Sequence, residues 1–119
     1  MKDLFSVKGK VIILTGGSGF LGAQFKRHLT LCGAEVVILD VKAKNPVDIT
    51  NPEDVKKAVD RTVIAHKRID GMVNVAAINA VPESETSKNF WKPYEKYPLE
   101  LWKKELEVNL TAAHIVTQA

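Results

Sequence analysis

Three glycines are spaced three residues apart at the end of an apolar stretch, as Gly16, Gly19 and Gly22 in VIILTGGSGFLG. Glycine permits a tight turn and lets the backbone lie against a ligand. A glycine loop between a buried strand and a helix presents free amide groups to phosphate. The pattern therefore predicts a pyrophosphate-binding loop, with Gly22 allowing close packing of helix on strand. The residues predicted to line the pyrophosphate are Gly16, Ser18, Gly19, Phe20 and Leu21.

An acidic residue follows the second apolar stretch. Asp40 ends VVILD and lies 18 residues after Gly22, near the offset of about 20 residues at which a carboxylate accepts hydrogen bonds from an adenosine ribose. A carboxylate at this place repels a 2′-phosphate, which favours NAD over NADP, whereas a Lys42 side chain turned inward would weaken that preference. A solvated acid at a strand end is the alternative interpretation of Asp40.

Other nucleotide-binding loops fit less well. A P-loop needs lysine and serine or threonine directly after its last glycine, and Gly22 is followed by Ala23 and Gln24. A methyltransferase that binds S-adenosylmethionine remains an alternative, although Thr15 stands where such enzymes usually carry an acid. A dinucleotide-binding module without catalytic activity is a second alternative.

Composition restricts the class of protein. The 119 residues are 45% hydrophobic and 26% charged, with a net charge of +3, which predicts one ordinary globular domain. Basic and acidic residues alternate, so no nucleic-acid partner is predicted. Neither a membrane span nor a signal peptide is recognisable, which predicts a cytoplasmic protein. His28, His66, His114 and Cys32 lack metal-ligand spacing, so no metal site is predicted.

Hydrophobic periodicity predicts alternating strands and helices. The predicted elements are strand 11–14, helix 20–31, strand 35–39, a helix capped by Asn51, strand 72–77 and helix 99–119. Right-handed crossovers then predict a doubly wound, Rossmann-type α/β parallel sheet in the order 3-2-1. In that order, strand 11–14 has an open apolar edge that requires a further strand or a partner chain.

A polar segment at residues 78–98 interrupts this alternation. It contains Phe90, Trp91, Tyr94 and Tyr97, and a loop of this length is usually functional or disordered. The aromatic residues predict a hydrophobic cluster beneath the loop, with stacking on a sugar or closure over a site as the alternative.

Several segments together resemble the short-chain dehydrogenase/reductase family. TGGSGFLG resembles the cofactor loop of the extended subfamily, TGxxGxxG, and VNVAA at residues 73–77 matches three of five positions of the family's VNNAG. Asp48 in VDIT resembles the acid near the adenine ring, and EVNLT at 107–111 resembles the helix with the active-site asparagine. The resemblance implies an NAD(P)-dependent oxidoreductase that transfers hydride between nicotinamide and an alcohol or carbonyl.

The resemblance also implies roles for individual residues. Asp48 and Ile49 would contact adenine, and Asn109 would be the member of the catalytic tetrad that holds a water in the proton relay. The strand floor beneath the nicotinamide side would be formed by Asn74, Ala76 and Ala77. Val75 replaces a family asparagine and Ala77 a family glycine. The alternatives are that Asn74 bonds across the strands and that Asn109 is satisfied by local helical hydrogen bonds.

The resemblance covers the first half of the usual family domain. The family's catalytic serine and its Tyr-x-x-x-Lys pair would lie beyond residue 119, and neither Tyr94 nor Tyr97 has a lysine four residues later, since Pro98 and Leu101 stand there. Residues 1–119 are thus expected to be the N-terminal part of a longer NAD(P)-binding domain, inactive alone and homo-oligomeric when complete. Similarity to members that modify bacterial surface sugars and flagellin implies a sugar-derived substrate.

Overall fold

Strands and helices alternate along the first two thirds of the chain, and helices follow. The structure, a computed structural model, describes residues 4–79 and 87–119. The strands are β1 (Val11–Thr15), β2 (Glu35–Leu39) and β3 (Gly71–Asn74). The helices are α1 (Phe20–Leu31), α2 (Pro52–His66), α3 (Ser87–Phe90), α4 (Leu99–Leu106) and α5 (Ala112–Gln118), with a 3-10 turn at Tyr94–Lys96 and a π-helical turn at Glu107–Thr111. The predicted Rossmann-like α/β fold is confirmed, in an incomplete form.

The three strands form a parallel sheet in the order β2-β1-β3. Thr15 at the end of β1 lies opposite both Leu39 and Asn74. The predicted order 3-2-1 is wrong because β3 pairs with β1 and not with β2. Residues 45–49 follow β2 without forming a strand, and Pro46 within them lacks a backbone N–H for a ladder.

This order also corrects the prediction about the edge of β1. Both edges of β1 are paired, and all five of its residues are buried. Among the described residues, the outer edges of the sheet belong instead to β2 and β3. A continuous apolar strand at the centre of a parallel sheet is the expected arrangement, because both faces of such a sheet are covered by helices.

The core lies between one face of the sheet and two helices. Ile13 and Leu39 from the sheet pack with Val55 of α2 and Val116 of α5. Helix α2 begins where the sequence predicts, since the Asn51 side chain accepts a hydrogen bond of 3.0 Å from the Glu53 N–H and Pro52 follows it. The core therefore fixes the orientation of α2 and α5 relative to the strands.

The last helical segment leaves its large apolar residues exposed. The helical character of residues 99–118 is confirmed, but its periodic residues Leu99, Trp102, Leu106 and Leu110 are exposed. Ala112 and Val116 provide the buried contacts instead. Apolar residues lie on more than one face of this helical segment. Periodicity alone does not show which of these faces meets the core.

Trp91 and Tyr94 do not form the predicted hydrophobic cluster beneath residues 78–98, because they are 77% and 88% exposed. Tyr97 instead donates a hydrogen bond from its hydroxyl to the Glu105 carboxylate on α4. Residues 80–86 of this segment lie outside the described residues. Within residues 4–79 and 87–119, no helix has the length and apolar character needed to cross a membrane.

Asp70 joins the amino ends of β1 and β3. Its carboxylate accepts hydrogen bonds from Arg68, from the Val11 N–H at 2.9 Å and from Lys10 at 3.3 Å. These donors, Arg68 foremost, hold the pKa of Asp70 well below its usual range. Because the Asp70 N–H also donates to the Val11 carbonyl at 2.8 Å, the two strands are fastened at this end through one residue.

Replacing Asp70 with asparagine is expected to lower the free energy of unfolding at neutral pH. The folded-state pKa of Asp70 lies below the unfolded value, so its stabilisation is present above about pH 4 and is lost as the pH falls toward the folded-state pKa. Acidification from about pH 5 to about pH 2 should therefore destabilise the native chain more than Asp70→Asn. Urea unfolding followed by circular dichroism measures both. Asp60→Asn, which removes an exposed partner of Lys56, is the control; equal pH dependence of the native chain and Asp70→Asn would contradict the assignment.

Candidate functional site

The glycine loop packs against its neighbours so closely that two positions require glycine. A Cβ atom on Gly22 would lie 2.0 Å from the Gly16 carbonyl oxygen, and one on Gly16 would lie 2.7 Å from the Ala76 Cα. Gly16 also has a φ of +68°, a backbone conformation that residues other than glycine rarely adopt. The loop is thus wedged between α1 and the backbone that follows β3.

The amino end of α1 leaves backbone donors for a ligand. Gly19 is the N-cap residue and provides no side chain, and the first intrahelical bond runs from the Ala23 N–H to the Gly19 carbonyl at 2.9 Å. The N–H groups of Phe20, Leu21 and Gly22 have no partner within the helix. The Phe20 and Leu21 side chains are exposed. Free amides at the positive end of a helix dipole suit an anion such as a phosphate.

Asp40 lies beside this loop and bonds to it. Its Oδ2 accepts a hydrogen bond of 2.9 Å from the Ser18 N–H, and its Oδ1 accepts one of 2.8 Å from the Lys42 N–H. The Asp40 carbonyl oxygen accepts from the N–H groups of Ala43 and Val47, at 3.2 and 3.1 Å. The Asp40 side chain is thus tied to the glycine loop by a hydrogen bond, and its role toward a ribose stays a prediction.

Asp48 and Ile49 differ in the solvent exposure of their side chains. The Thr50 hydroxyl and N–H donate to Asp48 Oδ1 at 2.7 and 2.9 Å, and these bonds hold the pKa of Asp48 below its ordinary value. Asp48 is exposed, whereas Ile49 is buried in the hydrophobic core. The Ile49 side chain is therefore not part of the site surface.

The Thr15 hydroxyl connects the carboxyl ends of β1 and β3. It donates to Asn74 Oδ1 at 3.3 Å and accepts from the N–H groups of Val75 and Ala76 at 3.1 and 3.2 Å. Thr15 is only 1% exposed. Asn74 thus bonds across the strands, and the hydroxyl fixes the backbone over which the predicted residues Asn74, Ala76 and Ala77 extend.

Asn109 holds the same segment from the other side. Its Oδ1 accepts from the Ile78 N–H at 2.8 Å and its Nδ2 donates to the Ile78 carbonyl at 3.0 Å. Asn109 lies in the π-helical turn, a feature that often marks functional positions in helices. The alternative of local helical bonds is therefore wrong for its side chain. Each polar atom of the amide makes one of these bonds and retains capacity for one more, which a water could use.

Sequence reasoning missed three contributors to this arrangement. Thr15 was noted only as the residue before the loop, although a threonine between a buried strand and a glycine is a recognisable signal for such a clamp. Gly17 allows the close approach of Ile38, whose Cγ2 would lie 2.8 Å from a Cβ there. Ile78 contributes only backbone groups, for which the sequence carries no signal.

These contacts bring together the glycine loop, Asp40, the segment after β3 and Asn109, but not Asp48 or the side chain of Ile49. The loop touches Ala76, Ser18 bonds to Asp40, and Asn109 bonds to the segment that follows β3. All of them follow the carboxyl ends of parallel strands, where ligands bind in open α/β sheets at the point where strand order reverses. Ser18 lines a cleft of about 480 Å³, whose lining also includes Lys26, Lys42 and Lys44.

Comparison with known proteins identifies the family. A family model described as enoyl-(acyl carrier protein) reductase matches residues 21–119, and related sequences include short-chain dehydrogenases. The chain belongs to the short-chain dehydrogenase/reductase family. This confirms the resemblance carried by the glycine loop, VNVAA and EVNLT.

Three of the related proteins are named for small polyhydroxylated molecules. 5-Keto-D-gluconate 5-reductase of Escherichia coli K12 is 27% identical over 100% of this chain and 50% of the relative. NAD-dependent glycerol dehydrogenase of Listeria innocua is 27% identical over 96% of this chain and 47% of the relative. L-Fucose dehydrogenase of Bos taurus is 31% identical over 92% and 43%. The chain spans about half the length of these curated relatives.

Solved structures share the fold. Aldohexose dehydrogenase of Thermoplasma acidophilum superimposes with a TM-score of 0.79 at 24% identity, over 94% of this chain and 43% of that one. The 3-ketoacyl-(acyl-carrier-protein) reductase of Brucella melitensis, complexed with NADH, gives 0.81 at 23% identity over 95% and 49%. The Rossmann-like arrangement of this chain is thus that of short-chain dehydrogenase/reductase structures.

Gly22→Ala is expected to lower the free energy of unfolding by about 1–3 kcal/mol, since the new Cβ would overlap the Gly16 carbonyl oxygen. Gly71→Ala is the matched control because nothing lies within 4 Å of a Cβ there; it should be neutral or stabilise the chain by up to about 1 kcal/mol. Chemical denaturation of both variants measures the difference. Equal stabilities would show that α1 does not pack on the loop as described.

Thr15→Val is expected to lower the free energy of unfolding by about 1–3 kcal/mol, because it keeps the side-chain shape but leaves the N–H groups of Val75 and Ala76 without their acceptor. Thr15→Ser retains the hydroxyl and should recover part of that loss. Thermal and urea unfolding of the two variants provide the measurement. A valine variant more stable than the serine variant would mean that the methyl group, and not the hydroxyl, is what matters at this position.

Proposed function

We propose that this chain is the dinucleotide-binding half of an NAD(H)-dependent oxidoreductase that transfers hydride between nicotinamide and an alcohol or carbonyl. The single observation that supports this most strongly is the Ser18–Asp40 contact. It places an uncapped helix terminus, suited to phosphate, next to a carboxylate suited to ribose. In this proposal residues 1–119 are the N-terminal part of a longer domain.

The residues present fit such a cofactor. The amides of Phe20, Leu21 and Gly22 offer donors to pyrophosphate, and the glycines leave a cradle that a Cβ would fill. Asp40 retains acceptor capacity for ribose hydroxyls, because a carboxylate has about four lone-pair sites and backbone amides use two. Asp48 and the backbone at Ile49 would flank adenine, and Asn74, Ala76 and Ala77 the nicotinamide side. When bound, the nicotinamide ring supplies the hydride chemistry.

NAD is the proposed cofactor in preference to NADP. The Asp40 carboxylate would repel a phosphate at the ribose 2′-oxygen. Lys26, Lys42 and Lys44 line the adjacent cleft and act against that repulsion. We expect the repulsion by Asp40 to exceed the attraction by the three lysines, because Asp40 is half-buried and held by two backbone amides whereas the lysines are exposed.

The proton-transfer groups of this reaction are proposed to lie outside residues 1–119. A catalytic tyrosine in this chemistry needs a lowered pKa, but the Glu105 carboxylate raises the pKa of Tyr97 to about 12. The residue four positions after each tyrosine is not a lysine. Asn109 would hold the water of the proton relay. Residues 1–119 alone would then bind cofactor without turnover.

The substrate is proposed to be a polyhydroxylated, sugar-derived alcohol or carbonyl. Relatives named for 5-keto-D-gluconate, glycerol and L-fucose support this class. The exposed side chains of Trp91 and Tyr94 are available to stack on a sugar ring. A homo-oligomeric assembly and a cytoplasmic location of the complete protein remain predictions.

Calorimetric titration of the chain with NAD, NADP and S-adenosylmethionine tests the proposal. NAD is expected to bind more tightly than NADP, and Asp40→Ala should weaken NAD binding by roughly 10- to 100-fold through loss of charged hydrogen bonds to ribose. Lys42→Ala should leave NAD binding nearly unchanged and weaken any NADP binding. Preferential binding of S-adenosylmethionine, or no binding of either dinucleotide to a folded chain, would overturn the proposal.

A further inference from the structure

Asp40 makes hydrogen bonds within the protein that binding a ribose would not require. Its two carboxylate oxygens accept from the amides of Ser18 and Lys42, and its carbonyl accepts from those of Ala43 and Val47. One residue thus bonds to the glycine loop and to the segment that leads to Asp48. These are the two stretches proposed to hold the pyrophosphate and the adenine.

The loop has few other restraints around Ser18. Glycines stand on both sides of it, and glycine loses more conformational freedom on ordering than any other residue. The remaining backbone bonds of the loop involve its ends, from Gly16 N–H to the Leu39 carbonyl at 3.0 Å and from Gly19 N–H to the Gly16 carbonyl at 3.0 Å. The second of these bonds closes the turn that contains Ser18, and Gly17 packs against Ile38, but the described hydrogen bond made by Ser18 itself is the one to Asp40.

We propose that Asp40 is a positioning residue for the phosphate-binding loop, so that the ribose and pyrophosphate subsites form one hydrogen-bonded unit. The carboxylate holds Ser18 in the unliganded chain and retains lone pairs for ribose hydroxyls. Binding of the phosphate part of a ligand then depends on Asp40 even when the ligand has no ribose. This inference rests on the proposed function, since it assumes that the loop binds phosphate.

Inorganic pyrophosphate, which lacks a ribose, separates this role from ribose binding. If Asp40 served only the ribose, removing its negative charge would leave pyrophosphate binding unchanged or strengthen it, because like charges repel. The positioning role predicts the opposite sign. Asp40→Asn keeps one acceptor for two amides and should weaken pyrophosphate binding on the order of fivefold; Asp40→Ala keeps none and should weaken it further.

Asp60→Asn is the charge-matched control, because it removes one negative charge from an exposed pair on α2. It should bind pyrophosphate as the native chain does. Equal or tighter binding by both Asp40 variants would overturn the positioning role. Failure of the native chain to bind either pyrophosphate or NAD would instead count against the proposed function.

Hydrogen exchange of the unliganded native chain tests the contact without any substitution. The Ser18 amide, bonded to Asp40, should exchange more slowly than the Leu21 amide, which has no partner within α1. Asp40→Asn and Asp40→Ala should accelerate exchange at Ser18 while leaving the amides of β1 protected. Exchange at Ser18 as fast as at Leu21 in the native chain would overturn the inference, whatever the pyrophosphate titrations show.

Discussion

The carboxyl end of β1 is the constraint on which the rest of the site depends. There the Gly16 N–H bonds to the Leu39 carbonyl of β2, and the Thr15 hydroxyl bonds to the backbone that follows β3. A single turn of chain is thus tied to both neighbouring strands before α1 begins. Because Gly16 lies against Ala76 and Gly22 against Gly16, this turn admits no side chain at two positions. Three segments that are distant in sequence consequently meet at one edge.

Much of this could be predicted from residue types. The unbroken apolar run of β1 indicates a strand covered on both faces, the glycine spacing indicates the loop, and Asn51-Pro52 indicates the start of α2. Each of these signals lies within a short stretch of sequence, so it can be recognised without knowledge of tertiary contacts. Asp40 could be predicted for the same reason, since the number of residues between it and Gly22 can be counted in the sequence. Its bond to Ser18 is a tertiary contact and could not be predicted from spacing.

The errors arose where the decisive information was not local. Strand order is a tertiary property: β3 pairs with β1 and not with β2, and residues 45–49 form no strand although Val47 and Ile49 are buried. Counting strands along the chain then places β3 on the wrong side. The face of residues 99–118 that meets the core is likewise not evident from the sequence, because Ala112 and Val116 make the contact. Large apolar residues dominate a periodicity pattern even when they stay exposed.

The departures from the family pattern at Val75 and Ala77 are compatible with this geometry because the segment is held through its backbone. Thr15 accepts from the N–H groups of Val75 and Ala76, and Asn109 bonds to both backbone groups of Ile78. None of these bonds uses the side chain of residue 75 or 77. The bonds made by Thr15 and Asn109 therefore hold the path of the strand floor whichever side chains stand at these two positions.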